Sequence, residues 1–149
     1  MRKYVLDTNC YVDAARDPGR LAALGEFTTW AVPHLHLSTV VAAELRAGIR
    51  TSRERTALEQ TVLGPFVRRG RVITPSGAAW DALGLTLATL RSATGLDPTF
   101  AKRSFAFDVL LAYSAREAGA VVVTTNGRDM ERIRTVFRFE FVPPYPDRP

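Results

Sequence analysis

The clearest strand in the sequence is the run Ala120-Val121-Val122-Val123-Thr124, and this run decides the fold. Its residues are almost all β-branched, and apolar and polar positions do not alternate along it. A continuous apolar run of this kind is typical of a parallel strand that is covered by other elements on both faces. The run therefore predicts a parallel sheet enclosed between two layers of helices.

Strands and helices alternate along the rest of the chain. Residues 104–118 are expected to form a long helix that ends at Gly119. Further strands are predicted at residues 3–6, 35–37, 71–74 and 138–142, and helices at about 11–16, 20–30, 40–50, 52 to 64 or 70, and 76–93. A loop is expected around Asp97-Pro98. We expect an α/β fold, a three-layer α/β/α arrangement with a central parallel sheet of about five short strands.

Composition favours one domain and an anionic partner. The 149 residues are 46% hydrophobic, enough for a sizeable core, and 23% charged, close to the globular average. We expect a single domain over 1–149 with an irregular, proline-rich tail at 143–149. Twenty Lys and Arg against 15 Asp and Glu give a net charge of +5. This balance favours nucleic acid as the partner, although a membrane surface or an acidic protein would also satisfy it.

The sequence lacks targeting and disulfide signals. Cys10 is the only cysteine, so no intramolecular disulfide can form, and we expect it to be a small buried residue. No apolar h-region follows the first residues, and no apolar stretch approaches the roughly 18 residues that span a bilayer. We expect a soluble cytoplasmic protein without a membrane partner.

Four acids lie in or beside apolar runs, far apart in the chain: Asp7, Glu44, Asp108 and Asp129. Glu44 and Asp108 fall on the core-facing stripes of predicted helices, whereas Asp7 and Asp129 lie near strand ends. Asp7 is also compatible with a helix N-cap, and Asp129 with an acid in a first helical turn. Burying a carboxylate costs free energy unless it is paired, neutralised or metal-bound. We therefore look for one explanation that accounts for all four acids.

A divalent metal site that cuts phosphodiester bonds is the explanation we favour. Mg²⁺ and Mn²⁺ take oxygen ligands, and a few carboxylates leave positions for water and phosphate. A metal-bound water becomes a nucleophile near neutral pH, and the metal offsets charge that develops on the phosphate. Three or four carboxylates on different elements suffice for one or two ions.

Four segments of the chain resemble the PIN domain. These are Asp-Thr-Asn at 7–9, Leu-Ser-Thr-Val-Val-Ala-Ala-Glu-Leu-Arg-Ala-Gly at 37–48, the Ala-rich helix around Asp108, and Val-Thr-Thr-Asn-Gly-Arg-Asp at 123–129. Within the PIN domains, the chain is similar to the VapC toxins of bacterial toxin–antitoxin pairs. The resemblance covers nearly the whole chain, in order and at the usual spacing.

The resemblance implies an activity and its partners. The chain would be a Mg²⁺- or Mn²⁺-dependent endoribonuclease with Asp7, Glu44 and Asp108 as metal ligands and Asp129 as the fourth acid. Its partners would be an RNA substrate, an antitoxin protein that blocks the site, and a second copy of the chain in a homodimer.

Supporting roles follow from the same resemblance. Asn9 would support the first Asp and the scissile phosphate, and Thr124 or Thr125 would form hydrogen bonds within the cluster. Asn126 occupies a position that is sometimes acidic in the family, so the fourth acidic role is placed on Asp129.

Other polar residues suggest RNA contacts or a plain surface. Seven arginines lie between residues 46 and 71, and they are compatible with either a phosphate-contacting rim or surface pairs with Glu54 and Glu59. RNA contacts are predicted for Arg46, Arg50 and Arg128. His34 and His36 are expected to form a strand-end surface pair, and Trp30 and Trp80 to lie in the core.

Two other functions remain open. The first is a PIN-like module that binds RNA or a partner without cutting it. The second is a phosphotransfer protein, which is disfavoured because Asn9 stands where a phosphatase needs a second acid. A nucleotide-binding module is disfavoured because no Gly-rich phosphate loop follows any strand.

Overall fold

A computed structural model describes residues 2–95 and 98–149, and in this part of the chain all strands join one parallel sheet. The sheet order is β3-β2-β1-β4-β5, and every neighbouring pair is parallel. The strands are β1 (Lys3–Leu6), β2 (Leu35–Ser38), β3 (Val72–Ile73), β4 (Ala120–Val123) and β5 (Phe141–Val142). The predicted fold class is confirmed.

Helices connect the strands and cover both faces of the sheet. They are α1 (Thr8–Arg16), α2 (Pro18–Ala31), α3 (Thr39–Ala47), α4 (Ser52–Ala57), α5 (Gly64–Arg68), α6 (Gly77–Thr94), α7 (Arg103–Glu117) and α8 (Gly127–Arg134). A π-helical segment, Leu58–Leu63, joins α4 to α5, and short 3₁₀ turns lie at Val32–His34 and Pro98–Ala101. Among the described helices, none is long and apolar enough to cross a membrane.

The two faces of the sheet pack into separate hydrophobic clusters. Val5 and Val122 belong to the cluster that includes Val41 of α3. Leu6 and Val123 follow these residues in the two central strands. They belong to a second cluster, which includes Phe27 of α2. Successive strand residues point to opposite faces, so a run without polar positions is what a strand covered on both sides requires.

Most helix starts follow the local signals in the sequence. The side chains of Ser38, Thr51 and Ser76 accept hydrogen bonds from the first backbone amides of α3, α4 and α6. At the far end of α7, Gly119 adopts a φ of 68°, which a residue with a Cβ rarely adopts. The predictions at these positions are confirmed.

The structure corrects three boundaries. The first helix begins at Thr8, not near residue 11, because Asp7 acts as its N-cap. The edge strand predicted over 138–142 is reduced to Phe141–Val142, since only these residues pair with β4. Similarly, only Val72–Ile73 of the strand predicted at 71–74 pair with β2. Asp97 lies outside the described residues.

The two tryptophans have different surroundings. Trp30 packs edge-on against Tyr4 and Phe27 in the cluster on the α2 side of the sheet. Trp80 is 58% exposed on α6, so the expectation of a core position was wrong for this residue. Helical periodicity identified an apolar stripe but not which of its residues a neighbouring element covers.

Candidate active site

The polar site begins where β1 and β4 end side by side. Asp7 directly follows β1, and its backbone amide donates to the carbonyl of Val123 at 2.9 Å. One carboxylate oxygen of Asp7 accepts from the backbone amide of Thr8 at 2.7 Å. The other accepts from the hydroxyl of Thr124, also at 2.7 Å. Asp7 is only 3% exposed, so its orientation is fixed by groups that follow two adjacent strands.

Glu44 reaches the same edge from α3. This helix starts directly after β2, the other neighbour of β1, with Ser38 as its N-cap. The hydroxyl of Thr8 donates to a carboxylate oxygen of Glu44 at 2.8 Å. Thr8 is a site residue that the sequence reasoning missed. Its position directly after Asp7, at the end of a buried strand, was the available signal.

Asn126 links the two remaining acids. Its side-chain amide donates to Asp108 of α7 at 3.0 Å and to Asp129 of α8 at 3.2 Å. Its backbone amide donates to the hydroxyl of Thr124 at 2.9 Å. Asp129 also lies 3.7 Å from the guanidinium of Arg132. Asn126 therefore orders the acidic residues of α7 and α8 relative to the strand ends.

Burial raises the pKa values of three of the acids, and the charges of neighbouring acids add to this effect at two of them. Burial, followed by the charges of Asp7, Glu44 and Asp129, raises the pKa of Asp108 to about 8. Burial raises the pKa of Asp7 despite its two hydrogen bonds. It also raises the pKa of Glu44, where the Asp7 charge adds to the effect and Arg103 opposes it. The four acids predicted from sequence therefore lie close enough to interact electrostatically.

The donor set suits a hard divalent cation, although the acids do not close around one point. Carboxylate oxygens are the ligands that Mg²⁺ and Mn²⁺ prefer. A cation would offset the negative charge of the neighbouring acids, which adds to burial in raising the pKa of Asp108. Over residues 2–95 and 98–149, no three acidic, histidine or cysteine side chains converge as a formed metal site. Asn126 and the two threonine hydroxyls instead donate hydrogen bonds to these acids.

Two of the predicted supporting residues form no side-chain hydrogen bond within the described part of the chain. Asn9 and Thr125 are exposed, and no hydrogen bond of either side chain to another described residue is recorded. Of the two threonines considered, Thr124 is the one that binds within the cluster.

The arginines predicted to contact RNA are all exposed. Arg46 forms an ion pair with Glu59. Its guanidinium donates hydrogen bonds to both carboxylate oxygens of Glu59, at 2.6 and 3.1 Å. The backbone amide of Arg50 donates to Glu54, whereas the Arg128 side chain forms no hydrogen bond or ion pair with another described residue. His36 is half-buried, so the histidines are not a fully exposed surface pair.

A family model supplies the decisive comparison. The model described as PIN domain matches residues 4–136, which include all four acids. The chain belongs to the PIN-domain family. PIN domains are generally nucleases, and nuclease activity is the function that this membership supports. No curated protein matches the chain by sequence.

Solved structures resemble this PIN domain over nearly its whole length. DNA-bound VapBC from Salmonella typhimurium is 26% identical, with a TM-score of 0.66, over 96% of this chain and 98% of that chain. VapBC2 from Rickettsia felis, bound to a promoter fragment, is 22% identical, with a TM-score of 0.62, over 94% and 97%. FitAcB from Neisseria gonorrhoeae is 22% identical, with a TM-score of 0.62, over 95% and 97%. The latter two likenesses support the fold alone.

Proposed function

We propose that this PIN domain is a Mg²⁺- or Mn²⁺-dependent endoribonuclease and the toxin component of a toxin–antitoxin pair. The observation that carries the proposal is that Asp7, Glu44 and Asp129 lie close enough to Asp108 to interact with it electrostatically, near the carboxyl ends of β1 and β4. In open parallel sheets, ligands bind in the crevice at these ends. The net charge of +5 suits an anionic substrate.

The four carboxylates would hold one or two ions, which supply an activated water and offset charge on the phosphate. The protein's own groups orient these carboxylates. Thr124 and the Thr8 amide fix Asp7, and the Thr8 hydroxyl fixes Glu44. Asn126 donates to Asp108 and to Asp129, so one amide sets the separation between two acids.

A cleavage assay tests the proposed site. The purified chain is incubated with labelled RNA and Mg²⁺ or Mn²⁺, with EDTA in a parallel reaction. We expect cleavage only with metal, and a loss of more than about 100-fold in Asp7→Asn and Asp108→Asn, since each removes a charged ligand. Asp81→Asn, an exposed acid on α6, is the matched control and is expected to cleave like the parent. Equal cleavage by all four proteins would refute the site.

A module that binds RNA without cutting it is the second candidate. The observation in its favour is that, in the described part of the chain, the acids do not converge as a formed metal site. This candidate predicts RNA binding in EDTA and no cleavage with any divalent metal. The proposed nuclease predicts both binding and metal-dependent cleavage, so the two assays separate the candidates.

A partner protein fits an apolar groove between α2 and α5. The groove has a volume of about 400 Å³, and Leu24, Val62 and Phe66 are among its lining residues. The structural neighbours are VapBC and FitAB assemblies, which favours a cognate antitoxin for this chain as well. Phe66→Asp is expected to abolish co-purification with a co-expressed cognate antitoxin, whereas Ala22→Asp, at an exposed residue of α2 that does not line the groove, preserves it. Unchanged co-purification of Phe66→Asp would exclude the groove.

A homodimer is the proposed oligomeric state. Trp80 and Leu85 are 58% and 67% exposed on α6, and large apolar side chains of this kind are enriched at interfaces between proteins. Light scattering of the purified chain is expected to give the mass of two copies. A monomer mass at micromolar concentration would contradict the proposal.

A further inference from the structure

A second charged cleft lies at the edge of the sheet opposite the acids. It has a volume of about 1090 Å³, and its lining includes Gly119 and Ala120, where β4 begins, and Arg2, which precedes β1. Asp7 and Thr124 follow the other ends of the same strands. β1 and β4 are each four residues long, which corresponds to about 13 Å. The cleft and the acidic site are therefore separated by at least this distance along the strands.

The cleft is rich in arginine. Its lining includes Arg2, Arg116, Arg134 and Arg138, with Glu140 as the one carboxylate among the lining residues of the described chain. All four arginines are exposed. The cleft therefore carries an excess of positive charge, which the acidic site at the other edge does not neutralise locally because solvent-exposed charges beyond about 10 Å are largely screened.

Two of these arginines have no acidic partner among the described residues. Arg2 bonds to Glu140 at 3.2 Å, and Arg134 bonds to Glu131 at 2.6 Å. No ion pair of Arg116 or Arg138 with another described residue is recorded. Arg116 instead lies over the ring of Tyr113, 5.5 Å from its centroid, which holds the guanidinium in place without neutralising it.

We propose that this cleft binds the phosphodiester backbone of RNA at a distance from the bond that is cut. The guanidinium group matches phosphate through two parallel hydrogen bonds. The volume of the cleft exceeds what one small anion fills. Several arginines in one cleft instead suit the consecutive phosphates of an RNA strand. The inference rests on the proposed function, because that function makes RNA the substrate.

The position of the cleft has a consequence for substrate choice. An RNA that contacts the acids through a single phosphodiester does not reach the cleft, because the two sites lie at opposite ends of β1 and β4. A longer, folded RNA contacts both edges at once. The cleft therefore lowers the KM for long RNA and leaves the cleavage rate of bound substrate unchanged.

Binding in EDTA tests the inference without cleavage. Fluorescence anisotropy measures the affinity of the parent, of Arg116→Gln/Arg138→Gln, and of Arg16→Gln/Arg91→Gln, a matched pair of exposed arginines elsewhere. The probe is bulk transfer RNA. We expect the cleft variant to bind transfer RNA about tenfold more weakly at 0.15 M salt, with a log–log salt slope lower by about 1.5–2. The matched control is expected to behave like the parent.

The outcomes separate this inference from the proposed nuclease. Parent-like binding of transfer RNA by the folded cleft variant would overturn the inference, while metal-dependent cleavage in the parent would still support the nuclease. Reduced binding by the cleft variant without cleavage in the parent would refute only the nuclease. An equal loss of affinity for polyglutamate would indicate a general anion surface and would overturn the assignment to a phosphodiester backbone.

Discussion

At the scale of single residues, hydroxyl and amide groups determine how the acids are held. The Thr124 hydroxyl donates to Asp7 and accepts from the backbone amide of Asn126, so it joins the end of β1 to the start of α8. Asp7 is buried, and Asn126 is partly buried. Removing the hydroxyl leaves an acceptor and a donor without a protein partner, which costs more than the hydrogen bonds themselves contribute.

Thr124→Val is therefore expected to lower the free energy of unfolding by about 1–3 kcal/mol. Thr125→Val is the matched control, because Thr125 is exposed and makes no recorded hydrogen bond with described residues, and its effect is expected to stay within about 0.5 kcal/mol. Urea denaturation in EDTA measures both. Equal effects of the two substitutions would contradict the role of the Thr124 hydroxyl.

Asp108 predicts a pH dependence of stability in the absence of metal. Its pKa is about 8 in the folded chain, against an ordinary value of 3.8 for an aspartate. Between about pH 4 and pH 8 the unfolded chain has released this proton and the folded chain retains it, so stability falls as pH rises through this window. In EDTA, the stability of Asp108→Asn relative to the parent is expected to rise from pH 4 to pH 8. A pH-independent difference would contradict the raised pKa, and Asp81→Asn serves as the control.

The sequence predicted the acids of the site better than the groups that support them. Glu44 and Asp108 were found because an acid on an apolar helical stripe is anomalous by itself. Thr8 was missed because a hydroxyl at the start of a helix is unremarkable without its partner, and that partner, Glu44, lies 36 positions away. Asn126 was noted as a replaced acid, whereas its bonds to Asp108 and Asp129 depend on the packing of α7 against α8.

At the scale of elements, the segment between β2 and β3 contains an unusual helical geometry. Leu58–Leu63 is π-helical, and Gly64 follows it. A Cβ at Gly64 would lie 2.6 Å from the carbonyl oxygen of Glu59. Real Cβ atoms do not approach backbone this closely, so glycine permits the tight approach at this point.

Gly64→Ala is expected to lower stability by at least about 1 kcal/mol, because backbone has to shift to accommodate the methyl group. Gly84→Ala is the matched control in the middle of α6, where a Cβ would meet nothing within 4 Å. There alanine is expected to raise stability by about 0.5–1 kcal/mol through its better helix propensity. Thermal or urea denaturation of both variants measures these changes in stability. A stabilising effect of Gly64→Ala would contradict the close approach of residue 64 to the carbonyl oxygen of Glu59.

Element starts were predicted more accurately than the extent of the edge strands. Ser38, Thr51 and Ser76 cap helices through bonds to residues two or three positions away, so the signal is local. The lengths of β3 and β5 depend on how far each edge segment runs beside its neighbour. The alternation of polar and apolar residues over 138–142 predicted a half-buried strand. It did not indicate that only Phe141 and Val142 pair with β4.

At the scale of the whole molecule, the acids come from elements that are distant in sequence and are held close together by the sheet. Metal binding at such a site would couple to the stability of the entire fold. Mn²⁺ at about 100 times its dissociation constant is expected to stabilise the chain by about 2.7 kcal/mol, which corresponds to a rise in Tm of roughly 5–10 °C.

Asp108→Asn is expected to lose most of this rise, whereas Asp81→Asn retains it. NaCl of equal ionic strength controls for screening of the mutual repulsion among the acids. The same rise with NaCl, or in Asp108→Asn, would show that Mn²⁺ does not bind at these residues. Scanning calorimetry with and without EDTA provides the measurement.

The sequence by itself determined the fold class and most helix starts, and it singled out four acids that the fold brings near one another. Each of these depends on a local quantity: the periodicity of apolar residues, a cap within three positions, or a carboxylate in an apolar run. Only the tertiary structure decided which groups lie between the acids, how far the edge strands pair, and that arginines 2, 116, 134 and 138 line one cleft. These features arise from contacts between residues far apart in the chain, which side-chain packing and the order of strands in the sheet bring together.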